Sequence, residues 1–300
     1  MQFRLEVPAT SANLGPGYDS FGLALDLFDS LTLTIHDEPV DPSRCVNVTG
    51  EGAQTLPRDR SHLVMRVLAD VLGSEYGAEA AALADRLTLE CVNRIPHSRG
   101  LGSSAAAVVG AIALAGLVGA HSGGPELTRE RVLELATELE GHPDNAAPAI
   151  FGGLTIALSH PARAWQIPVA TIADVTVLVP EARLDTAIAR SLMPASIEHE
   201  IAAENSARTG LLVHGFSSDA SVLMEATADC LHQEFRREAY PESMELVDAL
   251  RTAGLPAVVS GAGPTVLILS DADCQTFASD SVRLIRTSID LGGYRAHRLD

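Results

Sequence analysis

The chain has 300 residues, of which 46% are hydrophobic and 20% are charged, a balance typical of a folded globular protein of one or two domains. Its 39 acidic and 21 basic residues give a formal net charge of −18, which argues against binding to nucleic acid or to an anionic membrane surface. Every basic residue is an arginine, and the absence of lysine excludes a Walker A phosphate loop and Schiff-base lysine chemistry.

Hydrophobic periodicity predicts strands and helices mixed along the whole chain. A helix is predicted from Ser61, its N-cap, to Leu72, and Thr128 is predicted to cap a helix that ends at Gly141. Because the elements do not alternate as regular strand–helix–strand units, their order favours an α+β fold over a doubly wound sheet. Strands are predicted at 3–7, 31–35, 46–48, 87–91, 153–158, 175–179 and 257–260, and an apolar run covers 266–269. Other helices are predicted at 186–193, 198–214, 219–235 and 242–253. A last helix and a last strand are predicted to close the chain.

The cysteines and the apolar segments indicate a cytoplasmic, soluble protein. The four cysteines lie far apart and form no Cys-x-x-Cys pair, so neither a structural zinc site nor a disulfide framework is expected. The N-terminal sequence lacks the basic region and apolar run of a signal peptide. The longest uncharged apolar stretch, Ala105–Ala120, is expected to be too short and too weakly apolar to span a bilayer.

The most distinctive segment, Pro96–Val109, places glycines and serines directly before a helix that is apolar on every side. Backbone N–H groups at a helix N-terminus point outward, and the helix dipole adds about half a positive charge there. Ser103 and Ser104 could add hydroxyl bonds to phosphate or bind Mg²⁺, and Arg99 could supply the positive charge. The segment therefore predicts a phosphate site, with a serine-capped strand–helix turn as the alternative.

Further polar segments allow both a functional and an ordinary interpretation. In His142-Pro-Asp-Asn145, Asp144 could accept a proton beside an imidazole and an amide, or the segment could be a polar turn. Glu134 lies opposite the apolar stripe of the preceding helix, as either a solvated or a cleft-facing glutamate.

Two more loops are rich in glycine. The loop after the first strand carries Asn13 and Asp19, which could bind a polar ligand or stabilise turns. The loop Ser260–Thr265 could be a β-turn between strands. Two separate glycine loops favour a shared ligand that carries phosphate.

Taken together and in this order, these segments resemble the GHMP kinase superfamily. The resemblance covers nearly the whole chain and rests on Pro8–Gly22, Pro96–Ala106 and Ser260–Thr265. The superfamily's phosphate loop, Pro-x-x-x-Gly-Leu-Gly-Ser-Ser-Ala, matches Pro96–Ala105 and needs no lysine. Within the superfamily the sequence is most similar to the homoserine kinase family, through Pro8–Gly22, Ile95–Ser104 and Glu140–Gly153.

This resemblance implies a two-domain α+β architecture with the active site in the cleft between an N-terminal ATP-binding domain, residues 1–155, and a C-terminal domain, residues 156–300. It implies Mg²⁺- and ATP-dependent phosphorylation of the side-chain hydroxyl of L-homoserine, a step of threonine biosynthesis, by a homodimer. The alternatives are a related kinase for a mevalonate-like acid and a non-catalytic metabolite-binding protein of the same fold. A dinucleotide-binding oxidoreductase is disfavoured because Gly-Leu-Gly-Ser-Ser is not the GxGxxG pattern.

The resemblance also assigns residues. Asp144 matches the aspartate proposed as catalytic base, with direct proton transfer to the γ-phosphate as the competing account. His62 stands where many relatives carry Asn near the adenine pocket, and an unusual run around Arg236 leaves Arg237 as an alternative to it. The residues implied to bind the ATP phosphates are Pro96, His97, Ser98, Arg99, Gly100, Leu101, Gly102, Ser103, Ser104, Ala105 and Ala106. Ser103 or Ser104, together with Glu134, would hold Mg²⁺. The residues that would line the amino-acid pocket are Asn13, Asp19, His142, Asn145, Arg190 and Arg236.

Overall fold

Two β-sheets organise the computed structural model, which describes residues 1–182 and 186–299, without the side chains of 186–188. In the described chain the first sheet has seven strands in the order β11-β1-β2-β4-β3, with β5 and β6 continuing from β2, and the second has the order β10-β7-β9-β8. The strands are β1 (Gln2–Ala12), β2 (Phe21–Ile35), β3 (Val46–Gly50), β4 (Leu87–Asn93), β5 (Leu154–Ser159), β6 (Ala162–Ile167), β7 (Asp174–Pro180), β8 (Ala257–Val259), β9 (Val266–Ile268), β10 (Val282–Ser288) and β11 (Arg295–Arg298).

Helices cover these sheets and bury two apolar cores. The larger core lies between the first sheet and its helices, and the smaller core packs the second sheet against the helix after Tyr240. The mixture confirms the α+β prediction. The α-helices are α1 (Leu63–Tyr76), α2 (Ala78–Ala81), α3 (Ser103–His121), α4 (Arg129–Glu140), α5 (Ala146–Phe151), α6 (Thr186–Ser191), α7 (His199–Ser217), α8 (Leu223–Ala226) and α9 (Pro241–Thr252).

Helix α3 is the core helix that carries the phosphate-loop sequence at its N-terminus. It contacts α1, α4, α5 and β1, and buried residues lie on all its sides, as its composition predicts. The expectation that this stretch is too short and weakly apolar to span a membrane is wrong: α3 is long and apolar enough to do so. However, 72% of its apolar stretch is buried within the protein, as in the core helix of a soluble protein.

Strands β1 and β2 form a long antiparallel pair that ends where the first glycine-rich loop begins. Their register runs from Gln2 opposite Thr34 to Ala12 opposite Gly22, with a bulge between Pro8 and Ala9. Residues 13–20 therefore form the connection at one end of this pair.

The sequence predicts some helix ends correctly and others wrongly. Thr128 caps α4 by accepting the Arg131 N–H at 3.2 Å, and Gly141 ends the helix with φ 81°, as predicted. Ser61 is not the N-cap of α1, because its N–H and hydroxyl bind the Asp59 carboxylate in the turn before the helix. Helix α1 then continues past the predicted end at Leu72.

The single helix predicted for 219–235 is also wrong. The structure has short pieces there: a 3₁₀ turn at Ala220–Val222, α8, and a 3₁₀ turn at Glu234–Ala239. The Asp229 carboxylate accepts the N–H groups of three following residues, 231 to 233, at 2.6–3.0 Å. This side-chain acceptor replaces the helical carbonyl acceptors and starts a new turn.

The division of the chain into domains at residue 155 stays a prediction. That boundary falls within β5, which pairs with β2 and β6 of the first sheet. Strand β11 returns from near the C-terminus to pair with β1.

Candidate active site

Three glycine-rich loops meet at the N-terminus of α3, although the sequence separates them by more than 70 residues at each step. The Gly261 N–H donates to the Ala12 carbonyl at 3.0 Å, and the Asn13 side-chain amide donates to the Gly261 carbonyl at 2.9 Å. The Ser260 hydroxyl lies 2.6 Å from the Gly100 carbonyl. The Thr10 N–H donates to the carbonyl of Leu101 at 3.1 Å. The three motifs singled out in the sequence therefore form one structural unit.

Glycine is required at two positions of the phosphate loop. Gly100 and Gly102 have φ values of 77° and 69°, in the left-handed region that disfavours other residues. A Cβ at Gly100 would overlap the Ser260 carbonyl oxygen, and one at Gly102 would overlap the Thr10 hydroxyl. The close approach of the loops therefore depends on both glycines.

The phosphate loop borders an open cleft of about 670 Å³. The N-terminus of α3, a helix of 19 residues, opens at this cleft, so its free N–H groups and dipole favour an anion there. Gly102 precedes the helix, and Leu101 is buried beneath the loop. The lining residues are Ser98, Arg99, Gly100, Gly102, Ser103, Ser104, Ala105, Leu139, Glu140, His142, Asn145, Gly261 and Ala262.

Arg99 lines this cleft but also holds the loop to the second sheet. Its guanidinium donates to the carbonyls of His97, Pro180 and Glu181 at 2.9–3.1 Å. A structural role therefore accompanies the positive charge that the sequence predicts here.

The carboxylate that reaches the phosphate loop is Glu140, not Glu134. The Ser104 hydroxyl donates to Glu140 Oε1 at 2.8 Å. Glu134 is half-exposed and accepts from Arg131 at 2.7 Å, and it is absent from the described residues that line the cleft. Glu134 and Glu140 are six residues apart on α4, about 9 Å along a helix axis. The expectation that Glu134 faces the cleft with the serines is not what the structure shows.

Asp144 is buried between two residues that line the cleft. His142 Nδ1 lies 2.6 Å from Asp144 Oδ1, and the Asn145 N–H donates to the same oxygen at 2.9 Å. Asn145 Oδ1 in turn accepts from the Thr10 hydroxyl at 2.8 Å. The bond to Asp144 raises the pKa of His142 above its usual value. Within the described chain the hydrogen bonds to this carboxylate all reach Oδ1, and none reaches Oδ2.

Asp19 and Arg190, both predicted to bind substrate, bind each other. The two guanidinium nitrogens of Arg190 lie 2.8 and 3.1 Å from the two carboxylate oxygens of Asp19. Asn13 Oδ1 accepts the Asp19 N–H at 2.9 Å, and Asp19 has a left-handed φ of 53°. Asn13 links this pair to the cleft, because its side-chain amide also binds the carbonyl of Gly261, which lines the cleft. The charges of Asp19 and Arg190 also influence the pKa of His142. The structure thus brings the predicted acidic, basic and histidine groups together.

The structure distinguishes Arg236 from Arg237. Arg236 is 2% exposed and lies behind the Asp19 loop, where its guanidinium donates to the Tyr18 hydroxyl at 3.2 Å. Arg237 is on the surface and pairs with Glu234 and Asp248 at 2.8–2.9 Å.

A second cavity, of about 370 Å³, adjoins the first and is largely apolar. Both cavities are lined by Ser98, Ser103 and Ser104, so they meet at the phosphate loop. Val7, Leu31 and Ala106 are among its apolar lining residues. His97 lines it beside the loop, and Pro96 precedes His97 in the same segment.

Two buried polar residues line this second cavity. His62 is 4% exposed, and neither ring nitrogen has a hydrogen-bond partner among the described residues. Burial lowers the pKa of His62, which favours the neutral ring. Asp29 accepts the N–H groups of Arg94 and Ile95 at 2.6 and 2.9 Å, and burial raises its pKa to about 6.

Comparison with known proteins agrees with this arrangement. The family model of the GHMP kinase N-terminal domain matches residues 62–153, and that of the GHMP kinase C-terminal domain matches residues 212–282. Homoserine kinase of Cutibacterium acnes is 44% identical over 299 residues, covering 99% of this chain and 95% of that protein. The chain belongs to the homoserine kinase family of GHMP kinases. Members of this family are phosphotransferases, and the chain is one of these enzymes.

Two further relatives support the family assignment and the fold. Homoserine kinase of Streptomyces coelicolor is 45% identical over 275 residues, covering 90% of this chain and 85% of that protein. The crystal structure of homoserine kinase from Cytophaga hutchinsonii superimposes with a TM-score of 0.79 at 22% identity, covering 99% of this chain and 97% of that chain. At this identity the structural match supports the GHMP kinase fold alone.

Sequence reasoning missed Glu140, Tyr18 and Asp29 as site residues. Glu140 stands in the motif that carried the resemblance, but its approach to Ser104 depends on how α4 packs against α3. Tyr18 lies inside the motif Pro8–Gly22 without a role assigned to it, and Asp29 lies outside the motifs.

Proposed function

We propose that this enzyme transfers the γ-phosphoryl group of ATP to the side-chain hydroxyl of L-homoserine. The observation that carries the proposal is the Asp19–Arg190 pair beside the phosphate cleft. A carboxylate and a guanidinium together are complementary to the ammonium and carboxylate groups of an amino-acid zwitterion. A mevalonate-like acid has no ammonium group and would leave Asp19 without a partner.

The two joined cavities are suited to the two parts of ATP. We propose that the triphosphate lies at the N-terminus of α3, where backbone N–H groups face the cleft. The base would enter the apolar cavity, where His62 offers two unpaired ring nitrogens to its polar edge. The serines shared by both cavities would lie between these two parts.

The oxygen donors at the cleft are suited to Mg²⁺. Ser104 and Glu140 present a hydroxyl and a carboxylate 2.8 Å apart at the phosphate loop, and Mg²⁺ prefers such hard oxygen ligands. We propose that Ser104 and Glu140, with Ser103 beside them, hold the ion in place of the expected set with Glu134. When bound, Mg²⁺ would neutralise charge on the phosphates.

Asp144 is the proposed catalytic base. Its Oδ1 is held by His142 and Asn145, which fixes the carboxylate and leaves Oδ2 to accept the proton of the substrate hydroxyl. The competing account is direct proton transfer to the γ-phosphate, in which Asp144 orients His142 and Asn145 at the cleft.

An ATP-consumption assay tests the proposed function. The purified protein with MgATP should phosphorylate L-homoserine and should be inactive towards mevalonate and galactose. Identification of O-phospho-L-homoserine by mass spectrometry completes the assignment. Turnover of mevalonate without turnover of homoserine would contradict it.

The family also suggests the cellular setting. We propose a cytoplasmic homodimer that acts in threonine biosynthesis, with small-molecule ligands and no nucleic-acid or membrane partner. The net charge of −18 supports the absence of a polyanionic partner. Sedimentation velocity at micromolar concentration tests the dimer.

A further inference from the structure

Thr10, a residue of β1 to which the proposed function gives no role, lies between the phosphate loop and the segment 142–145. It is fully buried. Its backbone N–H donates to the carbonyl of Leu101 at 3.1 Å, and its hydroxyl donates to Asn145 Oδ1 at 2.8 Å. One residue therefore bonds both to the loop proposed to bind phosphate and to the segment that carries the proposed base.

The hydrogen bond between Thr10 and Asn145 lies against the backbone of Gly102. A Cβ added to Gly102 would overlap Thr10 Oγ1 and would lie 3.0 Å from Asn145 Oδ1. Gly102 directly precedes α3. The bond is therefore next to the helix N-terminus whose N–H groups are proposed to hold phosphate.

This bond determines which end of the Asn145 amide can serve the cleft. The amide oxygen accepts from Thr10, and the amide nitrogen lies 3.4 Å from Asp144 Oδ1. The oxygen and the nitrogen of an amide point apart, so the oxygen is turned towards β1. Asn145 lines the cleft, and its N–H groups are left as the donors that it offers there. Such donors suit the oxygen atoms of a phosphate or a carboxylate, whereas a reversed amide would present its own oxygen to them.

We propose that Thr10 is a positioning residue, which holds the Asn145 amide with its N–H groups available to the cleft and fixes that amide relative to the phosphate loop. Thr10 acts through Asn145, because it is absent from the described residues that line the two cavities. The inference rests on the proposed function, in which Asn145 belongs to the amino-acid pocket.

Three threonine variants separate the hydroxyl from the shape of the side chain. Thr10→Val replaces the hydroxyl with a methyl group and keeps the backbone bond to Leu101. Thr10→Ser keeps the hydroxyl and removes the methyl group. Thr137→Val is the matched control, because Thr137 is also buried and its hydroxyl donates to the Leu133 carbonyl within α4.

The steady-state constants of these variants test the role of the hydroxyl. Thr10→Val leaves the Asn145 oxygen without its donor and frees the amide to turn, so kcat/KM for homoserine should fall by about tenfold or more. The dissociation constant of ATP should stay close to that of wild type, because the bond from the backbone to the phosphate loop remains. Thr10→Ser and Thr137→Val should both behave like wild type.

Two outcomes of these measurements would overturn the proposal. One is a Thr10→Val variant as active as wild type. The other is a Thr10→Ser variant as impaired as Thr10→Val, which would show that packing of the methyl group matters and the hydroxyl does not. Circular dichroism checks the fold, and Thr10→Ala replaces Thr10→Val if valine prevents folding.

A double-mutant cycle with Asn145→Ala shows whether Thr10 acts through Asn145. In the Asn145→Ala background, Thr10→Val should cause little further loss of kcat/KM. Equal losses in the two backgrounds would contradict the proposal, because Thr10 would then act independently of Asn145.

Failure of the proposed function gives a different result from failure of this inference. If homoserine is not the substrate, wild type itself does not phosphorylate it. The same cycle is then measured with mevalonate or galactose, whichever wild type phosphorylates, and the coupling between Thr10 and Asn145 is tested in the same way.

Discussion

Asp19 and Arg190 are 171 residues apart in sequence, yet they form a two-bonded ion pair beside the phosphate cleft. Substrate binding must replace this pair with two new ones, since each group would take one charge of the zwitterion. A ligand with only one of the charges would break the pair and leave one partner without a counterion. The pair can therefore select for zwitterions.

The Arg190→Ala variant tests the carboxylate contact. A charge-assisted hydrogen bond contributes roughly 1.5–3 kcal/mol, so the KM of homoserine should rise by about 10- to 150-fold, with the KM of ATP little changed. Steady-state kinetics with each substrate varied in turn measures both. A defect limited to ATP would remove Arg190 from the amino-acid pocket.

Asp144→Asn separates base catalysis from positioning. Loss of a general base should lower kcat by about 10²- to 10⁴-fold while the KM values stay close to those of wild type. If Asp144 only orients His142 and Asn145, the KM of homoserine should change more than kcat. Circular dichroism checks the fold of the variant, and a kcat near that of wild type would eliminate the base assignment.

Glu140→Gln and Glu134→Gln form a matched pair on one helix. Glu140→Gln should lower activity by about 100-fold or more, since loss of a metal ligand costs several kcal/mol of charge stabilisation. Excess Mg²⁺ should restore part of that activity. Glu134→Gln should change activity less than twofold, because Glu134 pairs with Arg131 at the surface. Titration of Mg²⁺ with each variant gives the comparison, and the reverse order of effects would return the metal site to Glu134.

His62→Leu should affect stability and nucleotide binding in opposite directions. The imidazole is buried without partners, so its removal should leave Tm unchanged or higher in the nucleotide-free protein. Loss of a hydrogen bond to the base should raise the KM of ATP by about 2- to 12-fold. The measurements are Tm by calorimetry and the KM of ATP, with His62→Asn as the variant that keeps hydrogen-bonding groups. A loss of Tm with an unchanged KM would assign His62 a purely structural role.

Asp29→Asn should change how stability depends on pH. Burial raises the Asp29 pKa to about 6, above the unfolded value of about 3.9, so the folded state holds a proton that the unfolded state has lost. Wild type therefore loses stability from this group as the pH rises from about 4 to 6. The asparagine oxygen can still accept the N–H groups of Arg94 and Ile95.

The variant should thus gain stability relative to wild type by on the order of 2–3 kcal/mol between pH 4 and pH 7. Urea unfolding at several pH values measures this difference. A difference that is constant across this range would show that Asp29 does not titrate there.

Local signals predict the phosphate loop well, because its geometry is set within a few residues. The glycines before α3, the apolar composition of the helix and the capping residues Thr128 and Gly141 all act through neighbours in sequence. For such features the sequence pattern and the structure agree.

The remainder of the site depends on packing between distant segments. A helical wheel shows which face of α4 carries Glu134, but not which neighbour that face meets, and Glu140 at the end of the helix reaches Ser104 instead. Arg236 and Arg237 illustrate the same limit. They are neighbouring residues of the same type, and what distinguishes them is that Arg236 is buried whereas Arg237 is on the surface. Motif matching identifies such residues without assigning their contacts.

The Gly100 carbonyl accepts a hydrogen bond from the Ser260 hydroxyl, and the Ala12 carbonyl accepts one from the Gly261 N–H, so the loop before α3 depends on contacts with two distant parts of the sequence. A chimera that joins the N-terminal half of one related kinase to the C-terminal half of another would combine loops from different parents. Such chimeras should recover ATP binding only when 8–22, 96–106 and 260–265 come from the same parent. Directed evolution of substrate range would therefore do best to keep these three segments together and vary the residues around the amino-acid pocket.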